Sequence, residues 1–491
     1  MSLKALEARI LHELSFTEYP ARSWVVPKVL PDRQVHDVVI VGGGQSGLAT
    51  AFGLMRERVT RLLVLDRSPP GDEGPWLSFA RMKTLRTPKQ GSGLDFGNPS
   101  LTPQAWFEAQ HGAEAWARLG KMPREMWQEY LRWYRRLLNI PVRNGVWVTS
   151  IAPCESSPDL LEVNTQDHGT FVARRVVLAT GLDGSGRWYV PEVAKDLPSQ
   201  FWGHTESEID FSKLAGRRVG VLGGGASAFD NAATALEAGA SKVDLCIRIP
   251  KFPSVNPYRW LEFSGFLSAY CELPDETRWR FMRQVARMNQ PPPQETMWRC
   301  TRHANFSLHT DAQWNRIEQT PEGLKVTTPR QTLTFDFLIF ATGISNDLTR
   351  RAELQSLAPW VALWKDRFQP SPGEEDDSMG RAPYLGPGFE FRQKVPGTAA
   401  WVERVHNYNY GATLSMGLSA ASITGMKYGI RRLIDGVVKG LFQEDEQALF
   451  EQLVNYNELE IVHHLPPELR EHGPDLMAAG ASMTSNAGSI T

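Results

Sequence analysis

Two glycine-rich segments carry the residues whose spacing points to chemistry. In the first, HDVVIVGGGQSGLATAFGL at residues 36–54, Gly42, Gly44 and Gly47 follow an apolar run in a G-x-G-x-x-G spacing. Between a strand and a helix, these glycines permit a tight turn, close approach of a pyrophosphate and close packing of the helix. The helix N-terminus offers unpaired N–H groups to phosphates. We therefore predict a dinucleotide site, and a glycine turn without a ligand is the alternative.

An acidic residue follows this turn at the offset of a ribose contact. The next apolar run, RLLVLDRS, ends in Asp66, roughly 20 residues after Gly47. A carboxylate there accepts hydrogen bonds from ribose hydroxyls and favours a free 2′-hydroxyl, as in FAD or NAD. We assign Ser46 and Arg67 to the same site.

The second segment, RRVGVLGGGASAFDNA, repeats the arrangement at residues 217–232. Gly223 and Gly225 occupy the first two glycine positions, and Ala228 occupies the third, where a small residue is tolerated. Ser227 lies between them and is assigned to the same site.

The strand after the second turn, KVDLCIRIPKFP, differs from its counterpart in charge. It carries Arg248 at the offset where the first unit carries Asp66, and Lys251 follows. Cations at this position pair with a 2′-phosphate, which indicates NADPH, whereas a solvated arginine is the alternative for Arg248. Two such units predict a flavoprotein in which one turn holds FAD and the other holds the NADPH that reduces it.

Composition agrees with a multidomain enzyme acting on a small molecule. The chain has 491 residues, which is enough for two or three domains, and its net charge of −2 gives no attraction to nucleic acid or anionic lipid. Its four cysteines form neither a C-x-x-C pair nor a metal-binding cluster, which argues against a dithiol reductase and a metal site and for a reducing compartment. Without an apolar run long enough to span a membrane, we expect a cytoplasmic protein.

Further segments occur between and after the two turns, in a fixed order. They are DEGPWLSF with Trp76, PREMWQEYLRWYRRLLNIPVRNGVWVTSI with Val148, VVLATGLDG with Thr180, FLIFATGISND with Thr342 and Gly343, and NYNYGATLSMGLSAASITGMKYGIRRLI with Ser415. In these segments and both glycine turns, over residues 38–442, the chain resembles class B flavin-dependent monooxygenases.

That resemblance implies an α/β fold with two Rossmann-like dinucleotide-binding domains, the NADPH domain being inserted in the FAD domain. It places Trp76 near the flavin, the backbone at Val148 near the adenine, and Ser415 near the flavin pyrimidine. The two Ala-Thr-Gly segments would lie where the chain passes between domains.

The expected domain limits follow from the order of these segments. They are an N-terminal arm at 1–35, the first part of the FAD domain at 36–195, the inserted NADPH domain at 196–334, the second part of the FAD domain at 335–445, and a C-terminal extension with a flexible tail at 446–491.

Two departures from the family pattern concern the catalytic centre. Of the family's F-x-G-x-x-x-H fingerprint, LPSQFWGHTESEID retains His204, which acts at the domain hinge or else supports a loop. Pro88 stands where related enzymes carry an asparagine beside the flavin, so Lys89, Gln90 and Asn407 are candidates to replace it. Solvation is the alternative for Lys89.

The resemblance implies that NADPH reduces FAD, that a C4a-hydroperoxide forms with O2, and that one oxygen atom passes to a heteroatom, nitrogen being favoured, of a small metabolite. A Baeyer–Villiger ketone monooxygenase and a non-oxygenase flavin reductase or oxidase are the alternatives, and self-association is left open. Residues 263–306 are the expected specificity element, and their six arginines bind a substrate carboxylate or else lie in solvent: Arg278, Arg280, Arg283, Arg287, Arg299 and Arg302.

Overall fold

A computed structural model describes residues 2–420 and 422–461 of the chain. The described residues up to Gln443 form one compact unit, and those from Glu444 form a second. Of the C-terminal extension and flexible tail predicted at 446–491, residues 462–491 lie outside the described residues. Among the described residues, no helix has both the length and the apolar composition needed to cross a membrane.

Seventeen strands form four sheets within the described residues. They are β1 (Val35–Val41), β2 (Leu62–Leu65), β3 (Val142–Arg143), β4 (Val148–Cys154), β5 (Ser157–Thr165), β6 (Thr170–Leu178), β7 (Gly186–Trp188), β8 (Trp202–His204), β9 (Arg218–Leu222), β10 (Lys242–Cys246), β11 (Phe306–His309), β12 (Arg316–Thr320), β13 (Gly323–Thr327), β14 (Thr332–Phe335), β15 (Phe337–Phe340), β16 (Ile344–Asn346) and β17 (Val405–Asn407).

The α-helices lie mainly in the crossovers between these strands. They are α1 (Leu3–Ser15), α2 (Gln45–Arg56), α3 (Pro103–His111), α4 (Ala113–Arg118), α5 (Arg124–Leu137), α6 (Ala226–Glu237), α7 (Pro257–Leu261), α8 (Ser264–Ala269), α9 (Asp275–Met288), α10 (Gln294–Thr301), α11 (Asp377–Gly380), α12 (Thr413–Met416), α13 (Ile423–Glu444) and α14 (Glu446–Val454).

The first sheet has the order β3-β2-β1-β6-β5-β4, and β17 pairs with the last residues of β6. Strand β1 is buried along its whole length and lies parallel to β2 and β6, with Val38 beside Leu62 and Arg175. A parallel strand covered on both faces needs a nearly continuous apolar run, which is what VHDVVIV supplies. The glycine turn and α2 then lead to β2, as the sequence predicts.

The second sheet has the order β11-β10-β9-β15-β8, with all neighbours parallel. It contains β15, although the predicted limits assign residues 335–445 to the first domain. The reason is that β15 stands beside β9 as β6 stands beside β1, each ending directly before an Ala-Thr-Gly segment. The chain then returns to the first sheet through β17, which confirms the predicted fold class with one nucleotide-binding unit inserted in the other.

The helices α7 to α10 fill the crossover between β10 and β11. Their buried aromatic residues pack on a part of the chain that follows the insertion. Tyr270 and Trp279 belong to the same core cluster as Trp364 and Leu414. The inserted helices therefore stabilise the C-terminal part of the first domain as well as their own sheet.

Candidate active site

A cavity of about 610 Å³ opens at the carboxyl ends of β1, β2 and β6. This edge of a parallel sheet is where such folds bind nucleotides. Most residues predicted for the first dinucleotide line it, namely Gly42, Gly44, Ser46, Asp66, Arg67, Trp76, Val148 and Thr180. The structure thus brings together residues from five separate sequence segments.

The turn after β1 has no room for a Cβ atom at the first and third glycines of the motif. Gly42 has φ +107°, and a Cβ there would lie 2.4 Å from the carbonyl oxygen of Ala179. A Cβ on Gly47 would lie 1.8 Å from the carbonyl oxygen of Gly42. Gly44 precedes α2 with no side-chain cap, so the first N–H groups of this helix are available to a pyrophosphate at the cavity.

Asp66 is buried and held in one orientation at the cavity wall. Its Oδ2 accepts a hydrogen bond from the amide of Gly43 at 2.6 Å, and its Oδ1 accepts one from the amide of Ser68 at 2.7 Å. The remaining lone pairs of this carboxylate suit ribose hydroxyls. Arg67 beside it is exposed. The cavity therefore fits a dinucleotide with a free 2′-hydroxyl, such as FAD.

The second turn has the same construction at the carboxyl end of β9. Gly223 has φ +143°, and a Cβ there would lie 2.2 Å from the carbonyl oxygen of Ala341. Gly225 precedes α6 without a side-chain cap and has open space on its Cβ side, and Ser227 in the first turn of α6 is exposed. Ala228 is fully buried, as expected for the packing position.

Arg248 and Lys251 are exposed beyond the end of β10. Within the described residues neither forms an ion pair, so both cations are available to a 2′-phosphate. Thr342 donates a hydrogen bond to the carbonyl oxygen of Tyr189, and the Gly343 carbonyl accepts one from the Tyr189 amide at 2.9 Å. These residues therefore tie together the two chain crossings between the sheets.

Asn407 lies behind the wall of the first cavity rather than on its surface. It is fully buried in β17, where its Oδ1 accepts a hydrogen bond from Asn409 Nδ2 at 2.7 Å and its Nδ2 donates to Ser185 Oγ at 3.0 Å. Asn409 Nδ2 also donates to Thr180 Oγ1 at 3.1 Å. Asn407 is therefore connected to the cavity wall through Asn409 and Thr180, and no pattern in the sequence predicted Asn409 or Ser185.

The Lys89 ammonium, predicted as a catalytic candidate, lies at the end of a helix. It donates hydrogen bonds to the carbonyl oxygens of Trp116 at 2.5 Å and Leu119 at 2.6 Å, at the end of α4, and lies 5.0 Å from the centre of the Trp116 ring. A lysine at a helix C-terminus satisfies carbonyls that lack partners in the helix. Gln90, also a candidate, is exposed in the same loop.

Acidic and basic side chains that the sequence analysis missed line the mouth of the first cavity. Arg351 pairs with Asp183 at 2.8 Å and with Glu353 at 2.5 Å. Burial and the nearby Asp183 carboxylate raise the pKa of Glu206 above its ordinary value. These residues come from three distant parts of the chain, so no local pattern announces them.

His204 ends β8 in the second sheet and is buried, with its ring 5.3 Å from that of Trp188. Burial lowers its pKa to about 4, and His406 in β17 has a pKa lowered to about 4 for the same reason. Both imidazoles are therefore neutral at pH 7. At the hinge between the domains, His204 would therefore act as an uncharged imidazole.

These two histidines give an expected pH dependence of stability. An unfolded histidine, with a pKa near 6.5, binds more protons than the folded one between about pH 4 and 6.5. The free energy of unfolding should therefore fall as the pH is lowered through that range, by on the order of 3 kcal/mol per histidine. We expect the melting temperature of His204→Gln to depend less on pH than that of the unsubstituted protein between pH 4.5 and 7; parallel curves would contradict the assignment.

Four of the six arginines in the specificity element have internal partners. Arg278 donates to the carbonyl oxygen of Ser415 at 2.8 Å and pairs with Asp275, Arg283 donates to the carbonyl oxygens of Gly373 and Glu375, and Arg299 pairs with Glu237. Arg302 is exposed, and its Nε donates to the carbonyl oxygen of Trp298 at 3.1 Å. Arg280 and Arg287 are exposed. The four arginines with internal partners support structure, which leaves Arg280 and Arg287 as carboxylate-binding candidates.

The predicted flavin contact Ser415 has its hydroxyl fully engaged. This side chain is buried in α12, accepts hydrogen bonds from Trp364 Nε1 at 2.9 Å and from the Leu385 amide at 3.2 Å, and donates to the Pro383 carbonyl oxygen at 3.0 Å. Its hydroxyl orients this segment, so a contact with the flavin would come from the neighbouring backbone.

Comparison with known proteins places these features in context. A family model described as FAD-NAD(P)-binding matches residues 39–183, and one described as L-lysine 6-monooxygenase/L-ornithine 5-monooxygenase matches residues 116–295. The chain is 44% identical over 467 residues to the FAD-dependent urate hydroxylase of Xanthomonas campestris pv. campestris, covering 95% of this chain and 98% of that protein.

Solved structures with this fold include two hydroxylases of amino acids. The L-lysine 6-monooxygenase from Pseudomonas syringae has a TM-score of 0.65 and 19% identity, covering 82% of this chain and 99% of its own. The ornithine hydroxylase from Pseudomonas aeruginosa has a TM-score of 0.63 and 17% identity, covering 83% and 100%. At these identities the likeness concerns the fold.

Proposed function

The chain belongs to the family of FAD-dependent monooxygenases, and from this premise we propose that it hydroxylates urate or a closely similar oxidised purine. Its cofactors are FAD and NADP(H), as the sequence predicted. The observation that carries the choice of substrate is the 44% identity to a urate hydroxylase over 95% of the chain. The lysine and ornithine hydroxylases share the fold at 17–19% identity.

The residues of the two turns have complementary tasks in this reaction. When bound, FAD takes a hydride from NADPH and activates O2, so that one oxygen atom enters the substrate and the other leaves as water. The N-terminus of α2 and Asp66 would hold the FAD pyrophosphate and ribose, whereas Arg248 and Lys251 would select the 2′-phosphate of NADPH. The buried hydrogen bonds among Asn407, Asn409 and Ser185 would keep the Thr180 wall rigid and free of water.

N-hydroxylation of a primary amine is the second candidate, since the lysine and ornithine monooxygenase family model matches residues 116–295. An amino-acid substrate needs a partner for its carboxylate. Arg278 and Arg299, which are buried, are already paired with Asp275 and Glu237. An amino-acid substrate would therefore depend on the exposed Arg280 or Arg287 for its carboxylate.

Substrate-dependent oxygen transfer tests the proposal. We expect urate to stimulate NADPH oxidation by the FAD-loaded protein and to disappear in a one-to-one ratio with NADPH and O2, with little hydrogen peroxide formed. Lysine, ornithine, cadaverine and cyclic ketones serve as parallel substrates. Stoichiometric oxygenation of an amine without turnover of urate would select the second candidate, and oxygenation of a ketone alone would select Baeyer–Villiger chemistry.

We also propose a cytoplasmic location. The four cysteines Cys154, Cys246, Cys271 and Cys300 are free thiols, which supports a reducing compartment. Self-association into a homo-oligomer stays a prediction, which the mass of the purified protein in solution will test.

A further inference from the structure

The helix α6, which begins at the second glycine turn, carries a buried carboxylate that faces the first domain. Asp230 has a relative exposure of 2%. Its carboxylate accepts a hydrogen bond from Arg86 Nη2 at 3.2 Å and another from Arg299 Nη1 at 3.3 Å. Thr296 Oγ1 donates a third at 3.2 Å. Arg86 belongs to the first domain, whereas Arg299 and Thr296 belong to α10 of the insertion.

Arg299 extends this contact along the helix. Its guanidinium pairs with Glu237 of α6 at 2.9 Å and donates to the carbonyl oxygen of Arg81 at 3.4 Å. Lys83 pairs with Glu237 at 3.0 Å from the same segment as Arg81 and Arg86. We call residues 81–86, Asp230, Thr296, Glu237 and Arg299 the Asp230 latch.

The burial of each ion pair indicates which contact holds α6 against residues 81–86. Lys83 is largely exposed, and an ion pair in water contributes little to orientation. Asp230 and Arg299 are both removed from water, so each carries a large desolvation penalty unless its partners stay in place. Any rotation of α6 away from residues 81–86 would separate Asp230 from Arg86 and leave that buried charge with fewer partners.

The latch joins the walls of the two cofactor sites. Trp76, Ser78 and Phe79 line the first cavity, and the chain runs from them directly into residues 81–86. On the other side, α6 offers its N-terminus at Gly225 to the second dinucleotide. The relative orientation of these two elements sets where the nicotinamide meets the flavin.

We propose that Asp230 and Arg86 are positioning residues for hydride transfer, which hold the NADPH-binding helix in the orientation that brings nicotinamide to flavin. Neither residue lines the first cavity, and Asp230 lies a full turn beyond the N-terminus of α6. They act through geometry, and misplacement of reacting atoms by about 1 Å lowers a rate by roughly 100-fold.

Anaerobic reduction of the FAD-loaded protein by NADPH tests this role. It is measured both with and without urate, so that failure of urate as the substrate does not decide the outcome. We expect Arg86→Gln to lower the limiting rate of flavin reduction by about tenfold or more. Arg86→Lys, which keeps the charge, should restore most of the rate. The dissociation constant for NADP⁺, measured by protein fluorescence, should stay within about twofold because the turn itself is intact.

Hydrogen exchange gives a second readout that does not need turnover. In Arg86→Gln, amides of residues 80–88 and 294–301 should exchange faster than in the unsubstituted protein. Arg316→Ala is the matched control, since it removes an exposed arginine that pairs with Glu318 in the same inserted domain. It should leave the reduction rate, NADP⁺ affinity and exchange unchanged.

Two results would overturn the proposal. One is a limiting rate in Arg86→Gln within about twofold of the unsubstituted protein, and the other is a loss of NADP⁺ affinity that accounts for the whole defect at an unchanged limiting rate. Asp230→Asn should show the same pattern as Arg86→Gln. If Asp230→Asn does not fold, the two Arg86 variants decide alone, because the Arg86 side chain is about one-third exposed.

Discussion

Gly44→Val is expected to fold and to purify without FAD. Gly44 has φ −72° and ψ −171°, an extended conformation that valine adopts readily, and a Cβ there would come no closer than 3.8 Å to Gly74 Cα. The added methyl groups would instead enter the cavity where the pyrophosphate approaches the backbone. We expect bound FAD to fall below about one-tenth of the unsubstituted level, because no other route brings phosphates to the N-terminus of α2.

Gly47→Ala provides the contrast, since its Cβ would clash within the protein. That atom would lie 1.8 Å from the carbonyl oxygen of Gly42, so the turn or α2 must shift. The expected destabilisation is about 2 kcal/mol or more. Absorbance of bound flavin and the apoprotein melting temperature separate the two variants. Stoichiometric FAD in Gly44→Val would show that the first turn does not bind the cofactor.

Arg248→Ala is expected to lower kcat/KM for NADPH by roughly 10- to 100-fold, the effect of losing one hydrogen-bonded charge pair. Arg248 is exposed beyond β10, and within the described part of the chain no carboxylate pairs with it. Its guanidinium is therefore available to the 2′-phosphate that NADPH has and NADH lacks.

The comparison of NADPH with NADH is the informative measurement. With NADH, kcat/KM should change by less than about twofold, because the pair with the 2′-phosphate does not exist there. Lys251→Ala should show the same selectivity with a smaller effect, since an ammonium forms a less directional contact than a guanidinium. Equal losses with both nucleotides in Arg248→Ala would remove this residue from 2′-phosphate recognition.

The nucleotide sites were predictable because their signals are local. The spacing of Gly42, Gly44 and Gly47 with Asp66 lies within one strand–turn–helix–strand unit, and the structure places all four around one turn. Such a unit is specified by nearby residues, so the pattern and the geometry coincide. The charge difference between Asp66 and Arg248 is likewise visible in the sequence alone. Measuring kcat/KM with NADPH and with NADH will test whether it selects the nucleotide.

The remaining site residues depend on contacts between distant segments. The sequence suggests that Lys89 is a free cation in a glycine-rich loop. In the structure its ammonium donates hydrogen bonds to carbonyl oxygens at the end of α4. In the sequence, Arg278 looks like any of the six arginines on helix faces. In the structure it is buried and donates a hydrogen bond to the carbonyl oxygen of Ser415, more than 100 residues later in the chain. No periodicity reveals which long side chain meets a carbonyl across the fold, because that depends on packing between elements.

The contact between Arg278 and Ser415 bears on how substrate preference is exchanged between relatives. A chimera that replaced only residues 196–334 would bring a foreign α9 to the native α12, and the native Glu374 carbonyl oxygen would lose the hydrogen bond that Trp279 donates to it. The transferable module is therefore discontinuous: it comprises the inserted helices together with the stretch from Trp364 to Leu418 that they pack against. Exchange of the inserted domain alone would leave mismatched side chains where α9 packs on α12. Exchange of both stretches would preserve their shared core.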